Sequence, residues 1–163
     1  DGGEFDLSGK QWNRQSSFVN GHPDLKVKDI VEDGRHGMEI PFPAWTDGKD
    51  KCPFVMLWHK LPKGVKFTEL VFQAKADDNT TLQFVIPQKG WKFQLARYAK
   101  ISGGGDWQEV RVNLTGKSWD GRVIDWDDLI EELFIHYCAP DSKGKAYPAA
   151  TVSIKDLRLI DAD

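Results

Sequence analysis

The stretch Glu69–Ile86, with the sequence ELVFQAKADDNTTLQFVI, decides the fold class. It holds two runs in which every second side chain is apolar, and the polar segment Asp77–Asn79 separates them. Strict alternation is typical of a β-strand with one face toward a core, so we predict two consecutive strands here. The side chains expected to face the core are Leu70, Phe72, Ala74, Ala76, Leu82, Phe84 and Ile86.

Short runs of the same kind recur along the rest of the chain. Gly, Pro, Asp and Asn separate them, and no helical period persists long enough to build a bundle. We therefore predict one all-β domain over residues 1–163, a jelly-roll β-sandwich of two antiparallel sheets. The predicted strands are Glu4–Leu7, Asp24–Val31, His36–Ile40, Pro53–Lys60, Glu69–Ala76, Thr80–Ile86, Lys92–Ile101, Trp107–Leu114, Glu131–Cys138 and Ala150–Ile160.

The composition limits the classes of ligand. The 22 Lys and Arg residues against 25 Asp and Glu residues leave a formal net charge of −3. A nucleic acid or an anionic membrane would gain no attraction from this balance, so we expect neither as a partner. Seven Trp residues are more than a small core needs, and we expect some of them to be exposed for use.

The predicted outer faces of the two sheets differ in character. We expect one sheet to carry amides, an imidazole and scattered apolar groups on its outer face, which suits a polar, neutral ligand. Its predicted strands are Glu69–Ala76, Thr80–Ile86, Lys92–Ile101 and Glu131–Cys138, with His36–Ile40 beside them. The other sheet, with an ordinary solvated outer face that includes Val55 and Leu57, is expected to hold Asp24–Val31, Pro53–Lys60, Trp107–Leu114 and Ala150–Ile160.

The two cysteines, Cys52 and Cys138, each lie at the edge of a predicted strand. A disulfide and two free thiols both remain open from the sequence. Their spacing carries no CxxC signature, which argues against a metal site built from this pair.

Four segments make the chain resemble a known family. They are Glu4–Leu7 followed by Trp12, Leu70–Ala76, Asp106–Leu114 and Val152–Leu159. Together they resemble the jelly-roll carbohydrate-binding modules of the galactose-binding-like superfamily, in particular the branch that binds β-glucan chains. The same pattern is similar to a domain of complex I assembly factors of the intermediate-associated type.

The resemblance implies a fold, a function and a context. It implies a ligand cleft on the concave sheet, no catalytic activity and a structural calcium ion near the first and last strands. We take Asp156 as the bidentate calcium ligand, with Asp6 or Glu4 joining it. Because such modules are appendages of secreted plant-cell-wall hydrolases, the resemblance also implies secretion, an appended glycoside hydrolase and a monomeric module.

Sugar recognition needs aromatic rings that stack on pyranose faces and polar groups that bind hydroxyls. Trp45, Trp91 and Trp119 lie in or beside turn-rich segments, and we expect them to be exposed stacking platforms. Trp12, Trp58 and Trp107 are assigned to the core. The polar candidates on the predicted ligand face are Gln73, Lys75, Gln83, Gln94, Tyr98 and His136.

A catalytic jelly roll, such as a glycanase or a lyase, is the first alternative. Glycosidases use two carboxylates about 5–9.5 Å apart, and the sequence does not present a convincing pair. No Gly-x-Ser-x-Gly elbow is present either. A protein-interaction or assembly domain is the second alternative. The sequence therefore favours a non-catalytic module that binds β-linked polysaccharide, such as mixed-linkage glucan, xyloglucan or cellulose chains.

Overall fold

The computed structural model describes residues 4–6, 13–16, 25–58, 61, 64–91, 93–118, 120–129, 132–141 and 143–161. Within these residues the chain forms thirteen β-strands and one 3₁₀ turn, Lys89–Trp91. The strands are β1 (Glu4–Asp6), β2 (Asn13–Ser16), β3 (Lys28–Glu32), β4 (Arg35–Phe42), β5 (Trp45–Thr46), β6 (Phe54–Trp58), β7 (Phe67–Ala76), β8 (Thr80–Pro87), β9 (Gln94–Ile101), β10 (Gln108–Asn113), β11 (Glu132–His136), β12 (Ala146–Tyr147) and β13 (Ala150–Asp161). Over the same ranges, no helix has the length and apolar character needed to cross a membrane.

The strands form two main antiparallel sheets. One is six-stranded, with the order β10-β7-β13-β4-β3 and with β1 also paired to β13. The other is five-stranded, with the order β2-β6-β11-β8-β9. A small additional pair joins β5 to β12. The predicted all-β sandwich of antiparallel sheets is confirmed.

The core lies between the two sheets. Phe72 on β7 and Phe84 on β8 are both at most 1% exposed, and their ring centroids lie 5.1 Å apart across the interior. The alternating apolar side chains that predicted these two strands therefore face the same core. The inner faces of both sheets are covered by packed core side chains. A ligand can therefore bind only to the outer faces or to the loops.

The structure corrects the predicted sheet membership of the first two strands. They were expected in one sheet, but β7 pairs with β10 and β13 whereas β8 pairs with β9 and β11. The turn at residues 77–79 thus carries the chain from one sheet to the other. Alternation alone does not distinguish the sheets of a sandwich, because both bury one face in the same core.

Two further segments exchange sheets relative to the prediction. Strand β6 lies in the five-stranded sheet, between β2 and β11, and β4 lies in the six-stranded sheet. Val55 and Leu57, expected on an outer face, are core residues at 0% and 4% exposure. The segment is apolar at successive positions, so its alternation carries no information about which set faces inward.

Candidate functional site

The outer face of the five-stranded sheet carries a continuous group of rings, which we call the aromatic row: Trp91, Phe134, Phe54 and His136. Strands β6 and β11 place Phe54 opposite His136, and these two rings stack at 5.1 Å with an interplanar angle of 18°. Phe134 lies 5.4 Å from Phe54 and 5.8 Å from Trp91 between ring centroids. The row therefore runs from the strands to the turn that follows β8.

Trp91 forms the exposed end of the aromatic row, with 53% of its surface accessible. The turn that holds it is tied to a neighbouring loop, since the Lys89 amide donates to the Asp128 carbonyl at 2.8 Å. The Trp91 backbone has φ of 57°, which lies in the left-handed region. A bulky residue in this conformation carries a strain energy of about 1–3 kcal/mol. The predicted exposure of Trp91 is confirmed, and a fixed backbone presents its ring to solvent.

Polar side chains flank the row on β8 and β9, and we call Gln83, Tyr98 and Gln94 the amide strip. Gln83 lies directly between His136 on β11 and Tyr98 on β9, and its Nε2 donates to the Tyr98 hydroxyl at 3.1 Å. Gln94 is exposed near the start of the same edge strand, opposite Pro87. The predicted outward orientation of these side chains is confirmed.

The aromatic row and the amide strip are uncharged at neutral pH. Burial lowers the pKa of His136 to about 4, so its imidazole is neutral. Burial also raises the pKa of Tyr98 above its ordinary value of 10.0. Glu132, whose carboxyl pKa is raised by burial, is the only carboxylate on the described strands of this sheet. The surface thus offers rings, amides and hydroxyls with little net charge.

The structure overturns the expectation that Trp45 is exposed. Its ring is only 3% exposed and stacks on Tyr147 at 4.7 Å, with an interplanar angle of 4°. The short pair of β5 and β12 places the two residues directly opposite each other. A buried ring with one face already occupied by another ring cannot serve as a stacking platform, so Trp45 is removed from the candidate site.

Gln73 and Lys75 lie on the outer face of the opposite sheet. The register of β7 with β13 places them beside Lys155 and Ser153, respectively. Their outward direction was correctly predicted, but the sheet was wrong. They are therefore separated from the amide strip by the whole thickness of the core.

Trp107 belongs to the same opposite surface and is only partly buried, which corrects its assignment to the core. The ammonium groups of Lys75 and Lys155 lie 4.8 and 4.1 Å from its ring centroid, and its Nε1 donates to Glu32 at 3.1 Å. The lysines shield the indole through cation–π contacts. Of the other tryptophans, Trp12, Trp119 and the Trp58 side chain lie outside the described residues.

The expected calcium site stays a prediction, because the side chains of two of its three candidate ligands are not described. Asp156 forms an ion pair with Arg35, so its carboxylate already has a cationic partner. The side chains of Glu4 and Asp6 lie outside the described part of the chain. Elsewhere in that part, no group of three His, Cys, Asp or Glu side chains is arranged to hold a metal ion.

Phe134 and Phe54 were not among the side chains expected in the site. Strand alternation places Phe134 on the same face as His136, and an apolar residue in an otherwise polar set was the available signal. It is 9% exposed because neighbouring rings cover it. Phe54 was missed because its strand was assigned to the other sheet, and no local signal corrects that assignment.

Comparison with known proteins places this geometry in context. No protein-family model matches the chain, and no curated protein matches it. The fold is similar to that of a family 11 carbohydrate-binding module of a cellulosomal cellulase from Clostridium thermocellum, with a TM-score of 0.64, 14% identity and coverage of 98% of this chain and 95% of that chain. A family 11 module from the same organism, in complex with a β-1,3-1,4-mixed-linked tetrasaccharide, gives a TM-score of 0.62 at 14% identity, covering 96% of this chain and 94% of that one.

A second group of similar structures has the same architecture. A mutant of the family 29 carbohydrate-binding module CBM29-2, complexed with mannohexaose, gives a TM-score of 0.57 at 13% identity, with coverage of 98% of this chain and 92% of that chain. At these identities the likeness establishes the fold. The chain has the β-jelly-roll fold of carbohydrate-binding modules.

Proposed function

We propose that the chain is a non-catalytic module that binds a β-linked glucan on the outer face of the five-stranded sheet. The observation that carries this proposal is the aromatic row lying beside the amide strip, on a surface whose row and strip side chains are uncharged and whose flanking charges are those of Glu132 and Lys100. Rings stack on the apolar faces of pyranose units, and planar amides and phenols hydrogen-bond the hydroxyl edges. The carbohydrate-binding modules that share the fold support the same class of ligand.

The arrangement assigns different roles to the two groups of side chains. Trp91, as the exposed ring, stacks on one sugar unit, and Phe134 supports it from the sheet at 5.8 Å. Gln83 and Tyr98 hydrogen-bond hydroxyls farther along the chain of sugars. Because the Gln83–Tyr98 hydrogen bond already fixes both side chains, little rotamer entropy is lost when the ligand binds.

The described strands of the five-stranded sheet carry a single carboxylate, which supports binding of a polysaccharide over its hydrolysis. A glycosidase requires an acid and a second carboxylate about 5–9.5 Å away. On the described strands of the five-stranded sheet, Glu132 has no second carboxylate beside it. We propose further that the module is secreted and directs an appended glycoside hydrolase to its polysaccharide.

Affinity gel electrophoresis tests the proposed function. We expect gels that contain mixed-linkage β-glucan, xyloglucan or hydroxyethyl cellulose to slow the native protein, with no release of reducing sugar from the same polymers. Gels containing a mannan and an α-glucan serve as comparisons for linkage and sugar type. Unchanged mobility in all of the β-glucan gels would exclude the proposal, and release of reducing sugar would replace it with catalysis.

Matched glutamines on the two outer faces test the location of the site. We expect Gln83→Ala to weaken β-glucan binding by up to about tenfold, since a neutral hydrogen bond contributes roughly 0.5–1.5 kcal/mol. Gln73→Ala, the same change on the opposite sheet, is expected to leave affinity unchanged. Isothermal titration calorimetry with a soluble glucan oligosaccharide measures both. Equal losses, or a loss confined to Gln73→Ala, would place the ligand elsewhere.

A further inference from the structure

Cys52 and Cys138 lie opposite each other at one end of the β6–β11 pair. The register places His136 opposite Phe54, and the Tyr137 amide donates to the Pro53 carbonyl at 3.0 Å. One position farther along both chains, the same antiparallel pairing brings Cys138 opposite Cys52. The strands thus align two residues that are distant in sequence.

Along two antiparallel strands, hydrogen-bonded and non-hydrogen-bonded residue pairs alternate. This alternation identifies which of the two kinds Cys52 and Cys138 form. Because Tyr137 donates to Pro53, those two residues occupy a hydrogen-bonded position, and the adjacent Cys52–Cys138 pair occupies a non-hydrogen-bonded one. Directly opposed residues at such positions have Cα atoms about 4.5 Å apart, inside the roughly 4.4–6.8 Å range of disulfides. The backbone therefore needs no large movement to permit a bond.

The two side chains are free thiols, and directly opposed residues of an antiparallel pair project from the same face of the sheet. The two thiols are in hydrogen-bonding contact, which raises the pKa of Cys52 and lowers that of Cys138. The Cys52 sulfur also lies 3.5 Å from the carbonyl oxygens of Pro53 and of Tyr137, which are alternative acceptors for its single S–H, and Cys138 donates to Gln83 Oε1 at 3.4 Å. Cys52 is only half-buried, so a small oxidant has access to the pair.

We propose that Cys52 and Cys138 are an oxidation site that a low-molecular-weight disulfide, such as glutathione disulfide, closes into a cross-strand bond. One protein thiolate attacks the oxidant and releases one glutathione, which leaves a mixed disulfide. The second protein thiolate then attacks this intermediate and releases the other glutathione. The protein loses two hydrogen atoms, the oxidant is reduced to two thiols, and both protons end on the released glutathiones.

The bond would link β6 to β11 beside the aromatic row. It joins residues 86 positions apart in the sequence, since 138 − 52 = 86, and cross-links across long loops restrict the unfolded chain most strongly. Because the thiols are already opposed, we expect the disulfide to form within the native fold. It should raise the melting temperature by roughly 5–15 °C, given the size of the chain.

The test incubates the folded, fully reduced protein with glutathione disulfide at mildly alkaline pH. We expect the intact monomer to lose the mass of two hydrogen atoms. A peptide digest without reductant should contain two peptides, one with Cys52 and one with Cys138, joined by a disulfide. The melting temperature should rise, and a reductant should reverse both changes. Thiol alkylation under denaturing conditions counts the remaining free groups.

Single Cys52→Ser and Cys138→Ser variants are the controls, with circular dichroism to confirm that each is folded. Neither variant should lose hydrogen or gain stability, and each should take up at most one glutathione. Two intact thiols in the treated wild type would overturn the proposal. So would a doubly glutathionylated chain, an intermolecular dimer, or an intramolecular bond that lowers the melting temperature.

Discussion

Trp91→Ala should weaken β-glucan binding by about tenfold or more while leaving the melting temperature nearly unchanged. Trp91 is 53% exposed, so its truncation removes a platform for the ligand and little core packing. A stacked aromatic contributes about 0.5–1.5 kcal/mol beyond the area it buries, and about 1.4 kcal/mol corresponds to a factor of ten in affinity. Isothermal titration calorimetry and thermal unfolding measure the two effects separately.

Trp107→Ala is the matched control for the loss of an indole. Trp107 lies on the opposite outer face, between Lys75 and Lys155, so its removal should lower stability modestly and leave affinity unchanged. Trp91→Phe should recover part of the lost binding, because a smaller ring still stacks. A folded Trp91→Ala variant that binds as tightly as the wild type would remove the aromatic row from the site.

The local part of the site was predictable from the sequence because a strand repeats every two residues. Once Leu82 and Phe84 were assigned to the core, Gln83 had to point outward, and the same argument applied to Tyr98 and His136. The structure confirms these directions. The two-residue period and the burial of the core side chains together therefore predicted the polar part of the proposed binding surface, which is Gln83, Gln94, Tyr98 and His136.

The pairing between strands was not predictable by the same reasoning. Gln73 and Gln83 occupy equivalent positions in adjacent alternating runs, yet they lie on opposite surfaces because β7 and β8 join different sheets. Phe54 enters the site only through the pairing of β6 with β11. These pairings depend on contacts between residues distant in sequence, and local alternation does not encode them.

Trp45 and Trp91 show why the solvent exposure of a tryptophan side chain was not predictable from its sequence neighbours. Both follow turn-forming residues, and both were expected to be exposed. Trp45 is instead covered by Tyr147, from a segment about 100 residues later in the chain, whereas among the described side chains the ring partner of Trp91 is Phe134. The burial of a tryptophan in a loop is set by whichever distant segment packs on it.

Trp45→Ala should therefore have the opposite signature to Trp91→Ala. We expect it to lower the free energy of unfolding by about 3–5 kcal/mol, because it empties a large buried site and breaks the stack with Tyr147. Tyr147 in turn packs edge-on against Tyr137 at 5.3 Å, so the loss reaches the end of the core. Chemical denaturation measures the stability, and calorimetry well below the melting transition should give wild-type glucan affinity.

Trp45→Phe separates the stacking contribution from the rest of the indole. The buried Trp45 Nε1 has no hydrogen-bond partner within the described residues, so phenylalanine keeps a stacked ring and removes an unsatisfied donor. The smaller ring leaves a cavity, which offsets part of this gain, and we expect a net loss of about 1 kcal/mol or less. Should Trp45→Ala instead unfold like the wild type and lose glucan binding, the indole would be a ligand contact and the buried arrangement with Tyr147 would be wrong.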